Sequence, residues 1–190
     1  MSDLSTTAAD DALSFFTSGT TYYLGLGTAS PASVGANTTS LAFQSITFGS
    51  PSSASQASTD SQTFSSVPGS VTYTDFSVWT GQSTTLSTAL TSGTAYTSLS
   101  VAALPASLAS SATITLVSGT DTQTFTTSAS VASGATSISV TSAAANFSYP
   151  VDTTVVEGTY IAGGALTSSI TPSAGSSIDV ATGGITFSAS

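Results

Sequence analysis

From residue 21 onward, apolar and polar positions alternate over short stretches, interrupted every few residues by Gly, Pro or Ser. A period of two belongs to strands with one buried face. Tyr22, Leu24 and Leu26 share one face of a first predicted strand, with Gly25 and Gly27 opposite. Residues 41–48 form a second, with Leu41 and Phe43 on one parity and Ile46 and Phe48 on the other. Residues 62–67 form a third. The strongest pattern runs from Val71 to Trp79, where Val71 and Tyr73 occupy odd positions and Phe76 and Val78 even ones. That switch predicts a bulge near Thr74-Asp75. Only residues 4–16 read as helix. Leu4, Ala8, Ala12, Phe15 and Phe16 fall near one face at helical spacing, Ser5 or Thr6 can cap the start, and Gly19 lies just past the end.

Beyond residue 85 the texture changes. Ten of the 16 aromatic residues lie before residue 82, which places the expected main core there. A repeat then begins. Residues 97–120, opening Thr97-Ser98-Leu99-Ser100-Val101, align without a gap on residues 136–159, opening Thr136-Ser137-Ile138-Ser139-Val140. Leu116 meets Val155, and Gly119 meets Gly158. Two copies fall short of a solenoid, which needs three or more, so a duplicated hairpin within one β domain is expected. A looser echo follows at residues 175–180.

Composition removes most chemistry. The chain of 190 residues holds no Lys, Arg, His or Cys, and its formal net charge is -9. No side-chain ion pair can form within one subunit, so stability must come from apolar burial and backbone ladders. Nucleic acid needs cations against its phosphates, and a basic membrane-surface patch is excluded in the same way; neither is an expected partner. Zinc sites draw on Cys or His, and nucleophilic triads on His. Carboxylates remain, and Asp10 with Asp11 or Asp152 with Glu157 are the nearest pairs, but nothing marks them as flanking one bond. No catalytic residue, cofactor or metal is expected. Calcium would take oxygen ligands, yet the Asp residues are scattered, and Asp121 and Asp152 read as turn residues. Ser and Thr supply 77 residues, so the surface is hydrated by hydroxyls. No apolar run approaches the length of a bilayer span. The opening Met1-Ser2-Asp3 lacks a positively charged leader, so synthesis in a cytoplasm and work within an assembly are expected.

The order of features over residues 13–81 resembles a group of small bacteriophage virion proteins labelled tail-fibre proteins. The resemblance is carried by the strand end Leu26-Gly27-Thr28-Ala29-Ser30-Pro31, then Leu41-Ala42-Phe43-Gln44-Ser45-Ile46-Thr47-Phe48, then Gln62-Thr63-Phe64, then Thr72-Tyr73-Thr74-Asp75-Phe76-Ser77-Val78-Trp79. The group's ending is similar to Gly163-Gly164-Ala165-Leu166-Thr167 through Gly183-Gly184-Ile185-Thr186-Phe187. The basic residues common in those motifs are replaced here, Phe43 standing in the usual Arg position. The resemblance implies a β domain from residues 1–85 plus 159–190, with residues 86–158 inserted as a β-repeat module. The expected fold is therefore mainly β, an antiparallel β-sandwich or barrel with one short N-terminal helix and that inserted module.

The resemblance implies a structural protein on the phage particle exterior, made in the host cytoplasm: a capsid decoration (cement) protein, head fibre or tail fibre. Its partners would be other phage structural proteins, the major capsid protein or a tail component, and it would form a homo-oligomer, trimer or dimer. Candidate interface residues are Phe15, Phe16, Tyr22, Tyr23 and Trp79. For Phe15 and Phe16 the alternative is that they plug the β core. A carbohydrate-binding or adhesin module is the other functional class, with Trp79, Tyr22, Tyr23 and Tyr96 stacking on a glycan; there too the alternative for Trp79 is core.

Overall fold

The computed structural model describes Leu13, Phe16 and residues 18–188. It is mainly β, antiparallel throughout and sandwich-like, and none of its sheets closes into a barrel. The helix expected over residues 4–16 falls almost wholly outside the described residues, as does Phe15.

The first lobe is built on four strands: β1 (Thr21–Gly27), β2 (Gln44–Thr47), β5 (Tyr73–Trp79) and β12 (Tyr160–Ile170), in spatial order β12-β5-β1-β2. Two short ribbons close its core, β3 (Ser55–Ala57) with β14 (Thr186–Ser188) and β4 (Gln62–Phe64) with β13 (Ile178–Val180). Leu24, Leu26, Ile46, Phe76 and Val78 point from the sheet into this core, where Phe64, Ile178 and Ile185 meet them. Phe16 lies there too, stacked on Phe48 at 4.3 Å and 22°. The ladder irregularity expected near Thr74 is present between β5 and β12, but the extra residues belong to β12: Ala165 pairs with Asp75 and Ile170 with Tyr73.

The second lobe is a two-layer sandwich. One layer holds β6 (Ser83–Thr85), β11 (Thr154–Val156), β8 (Thr113–Ser118) and β9 (Asp121–Thr126), in order β6-β11-β8-β9; the other is the ribbon of β7 (Ala95–Ser100) and β10 (Ser137–Ala144). Its core is drawn only from residues 86–155, including Leu99, Ile114, Leu116, Ile138 and Val155. Full burial of such side chains contributes roughly 1.5–3 kcal/mol each.

The sequence repeat is realised as a pseudo-two-fold. Leu99 lies directly opposite Ile138, and Leu116 directly opposite Val155, so each residue pairs with its own copy. An antiparallel pair with equivalent residues opposed has a local two-fold axis normal to the strands. The same operation relates the outer strands: Thr154 pairs Thr85 as Thr115 pairs Thr124, and Val156 pairs Ser83 as Val117 pairs Thr122. The loops follow it with a shift of two residues from the gap-free sequence alignment, so that Leu90 corresponds to Val131 and Leu108 to Tyr149. Leu90 and Tyr149 exchange two backbone hydrogen bonds (2.8 and 3.0 Å), and so do Val131 and Leu108 (2.8 and 2.9 Å). The left-handed turns at Gly93 and Gly134 are counterparts, and so are those at Ser111 and Asp152. The repeats are therefore not successive hairpins laid side by side. They interlock, and each supplies half of both layers.

Candidate functional site

The two lobes meet at Trp79, which is 0% exposed. β5 is central in its sheet, and its two faces are buried by different things. Val78 faces the first core, while Trp79 reaches the other way, onto Val117 and Val156 of the second lobe. Val117 and Val156 are pseudo-two-fold mates, so the indole sits over the axis of the repeat module. Phe43 flanks it on one side (6.1 Å between centroids) and Tyr160 on the other (5.5 Å, edge-on). Gly35, with φ +73, lies against the indole where any Cβ would collide with it. The indole N–H donates to Ser77 Oγ (2.9 Å), the Ser77 hydroxyl meets Thr38 Oγ1 (2.9 Å), and Thr38 Oγ1 donates to the Gly35 carbonyl (2.8 Å). Each polar group in this buried relay has a partner, which is what makes polar burial tolerable.

Equivalent residues of the module hold different partners, one in the first lobe and one in the chain crossing. Thr154 Oγ1 donates to the Thr38 carbonyl (3.4 Å), and its counterpart Thr115 donates to the Gly158 carbonyl (3.0 Å). Ser83 Oγ accepts the Phe43 backbone N–H at 3.1 Å. Ser83's counterpart, Thr122, instead lines an open cleft of about 480 Å3, with Thr115, Thr124, Tyr160, Val34 and Asn146 among its walls. A second cleft of about 390 Å3 is lined by Thr38, Leu41, Val71, Val117, Val151 and Thr154 among others.

The chain crosses between lobes twice, at Gly81 and at Glu157-Gly158. Thr80 N–H donates to the Thr159 carbonyl (3.1 Å) and Glu157 N–H to the Gln82 carbonyl (2.8 Å). Gly81 lies against the Glu157 backbone with no room for a Cβ. In this neck Glu157 Oε1 is buried without a hydrogen-bond partner. Burial pushes its carboxyl up to about 7.

The sequence-derived interface set is divided by these placements. Phe16, Tyr22 and Trp79 are all buried within the chain's own cores in this conformation. Tyr23 is half-buried, and its hydroxyl accepts from Gln82 Nε2 at 3.4 Å. Tyr96 is also half-buried, accepting the Thr91 N–H at 2.8 Å. Asp10 and Asp11 lie outside the described residues. Asp152 is an exposed turn residue with φ +66, whereas Glu157 is half-buried in the neck. Asp121 closes the tight hairpin from β8 to β9, opposite Ser118. Among the described residues no three carboxylates come together as a cation cluster. Sequence reasoning did not select Gly35, Phe43, Tyr160 or the Thr115/Thr154 pair. The parity break at Phe43 was the available signal, because a residue off the first core's parity faces a different neighbour.

Fold and site together define a two-lobed, mainly β protein whose specialised feature is a clamped aromatic junction. In comparison with known proteins, no family model, curated protein or solved structure matches this chain.

Proposed function

We propose that this chain is a bacteriophage virion structural protein on the particle surface, a capsid decoration (cement) protein, head fibre or tail fibre, acting by binding and assembly. The observation that carries the reading joins sequence to fold. Six segments bear the resemblance to phage tail-fibre proteins. Those at residues 26–31, 41–48, 72–79 and 163–167 each supply or border one strand of a single four-stranded sheet, β12-β5-β1-β2, and those at residues 62–64 and 183–187 supply or border strands of the two ribbons that close its core. The surface chemistry supports it further. With nine carboxylates, no side-chain cation and abundant hydroxyls, the protein resists nonspecific association yet suits a basic partner. The partner in this reading is the major capsid protein or a tail component, and the subunit docks as a trimer or dimer. Burial of Trp79 and Tyr22 leaves the glycan-stacking alternative without two of its platforms.

The test is co-sedimentation of purified protein with particles lacking it. Charge complementarity contributes strongly to encounter and is screened by salt. Binding should weaken between about 0.05 M and about 0.5 M salt. Absence of binding at low salt would refute the reading; binding indifferent to salt would replace charge pairing with apolar docking.

A further inference from the structure

The two crossings between the lobes pack directly on each other, and a carboxyl side chain is caught where they touch. Thr80 N–H donates to the Thr159 carbonyl (3.1 Å), Thr159 N–H donates back to Thr80 Oγ1 (3.0 Å), and Glu157 N–H donates to the Gln82 carbonyl (2.8 Å). Gly81 lies against the Glu157 backbone and Gly158 against Thr80 Oγ1, each too close for a Cβ. Glu157 Oε1 is buried at this contact with no hydrogen-bond partner. A buried carboxylate is tolerated when a cation or hydrogen-bond donors meet it. This chain has no side-chain cation, and every other charged side chain is also an acid. Around the neck, β2, β6, β8 and β11 carry no ionisable residue, whereas β1 brings Tyr22 and Tyr23, β5 brings Tyr73 and Asp75, and β12 brings Tyr160. The phenols are neutral below about pH 9, and Asp75 can only repel. A proton is therefore the one group left that can neutralise Glu157.

We propose that the neck is a pH-sensitive latch between the lobes: the neutral carboxyl of Glu157 lets the two crossings stay packed, and its ionisation parts them locally while both cores remain folded. The geometry allows this separation. The module's core is drawn only from residues 86–155, and the first lobe's core lies wholly outside that range, so neither is broken when the crossings move. Gly81 and Gly158 supply the backbone freedom at the two points of closest approach. The contact of Trp79 with Val117 and Val156 remains as the pivot. An ionised Glu157 reaches water only by breaking the packing of its backbone on Gly81, so hydration of the charge and opening of the neck are one event. Burial holds this carboxyl up at about 7, which sets the latch near neutrality and makes it open as pH rises. The inference does not depend on the virion reading.

Amide hydrogen exchange of the full chain at about pH 6 and about pH 8, corrected for the intrinsic pH dependence of exchange, reads local opening directly. The amides of Thr80, Glu157 and Thr159 should exchange through an opening that is easier than the unfolding that exposes β8 and β11. Their opening constant should rise several-fold, up to about tenfold, between the two pH values, the upper figure being reduced by solvent screening. In Glu157→Gln, which keeps the shape but cannot ionise, the opening constant should not change with pH. Three results would overturn the proposal: neck amides as strongly protected as those of β8 and β11 at both pH values, an opening constant indifferent to pH in the wild-type chain, or the same rise in Glu157→Gln. The first would mean that the carboxyl ionises only on global unfolding. The first two are read on the wild-type chain alone, so the test stands even where the variant fails to fold.

Discussion

Glu157 is a lone acid in a chain that has no side-chain base to pair with it. Its carboxyl is raised to about 7 by burial alone. The sign of the linkage follows. Between the unfolded value near 4.5 and the folded value near 7 the native state binds more protons than the unfolded one, so stability falls as pH rises through this window. Because the side chain is half-exposed, screening reduces the effect to about 1–2 kcal/mol. Glu157→Gln should flatten the fall in melting temperature between about pH 4.5 and about pH 7, and should stabilise the protein at the upper end. An unchanged pH profile would mean that the neck admits water to the carboxylate. Gly35 makes the complementary prediction at the indole. Its φ of +73 and its contact with Trp79 leave no room for a methyl group. Gly35→Ala should cost about 2–4 kcal/mol in denaturant unfolding, from overpacking and left-handed strain together. Retention of wild-type stability would show that the indole can move aside.

Among the elements, the strands were legible because alternation is a local signal. Tyr22, Leu24 and Leu26 fixed the buried face of β1, and the change of parity between Tyr73 and Phe76 marked the irregular ladder with β12. Pairing was not legible. A repeat at constant spacing says that two segments are alike, not that each lies antiparallel against its own copy, because the chain reversal between them is set by loops of mixed composition. Burial on two faces was equally hidden, since β5 needs a second lobe to cover Trp79 and no short-range pattern encodes that lobe. The pseudo-two-fold has an energetic signature. Leu116 and Val155 are direct cross-strand neighbours on the axis and both are 0% exposed. Leu116→Ala should destabilise by about 2–5 kcal/mol. The double variant with Val155→Ala should depart from additivity by about 0.5 kcal/mol or more, as expected for residues in contact. Strict additivity would separate the two positions and contradict the shared axis.

For the molecule as a whole, two cores share one aromatic junction and two short crossings. Trp79, packed on Val117 and Val156, and the Thr154 hydrogen bond to the Thr38 carbonyl tie the lobes beside the two backbone crossings at Gly81 and Gly158. The proposed role, presenting surfaces on a particle, asks of this architecture only that the two lobes hold together. Composition pointed toward that role before the fold was known, because losing Lys, Arg and His removes most acid–base and nucleophilic chemistry. The candidate site was not legible in the same way: its cleft is walled by residues far apart in the chain, Val34 and Tyr160 together with Thr115, Thr122 and Asn146, and no local pattern brings them together. The central claim is that this chain coats or projects from a phage particle. Electron cryomicroscopy of the native particle tests it most directly. The account predicts a two-lobed, mainly β density repeated on the exterior, into which the chain fits with Trp79 at the waist. A particle whose exterior density is fully explained by other chains would contradict it.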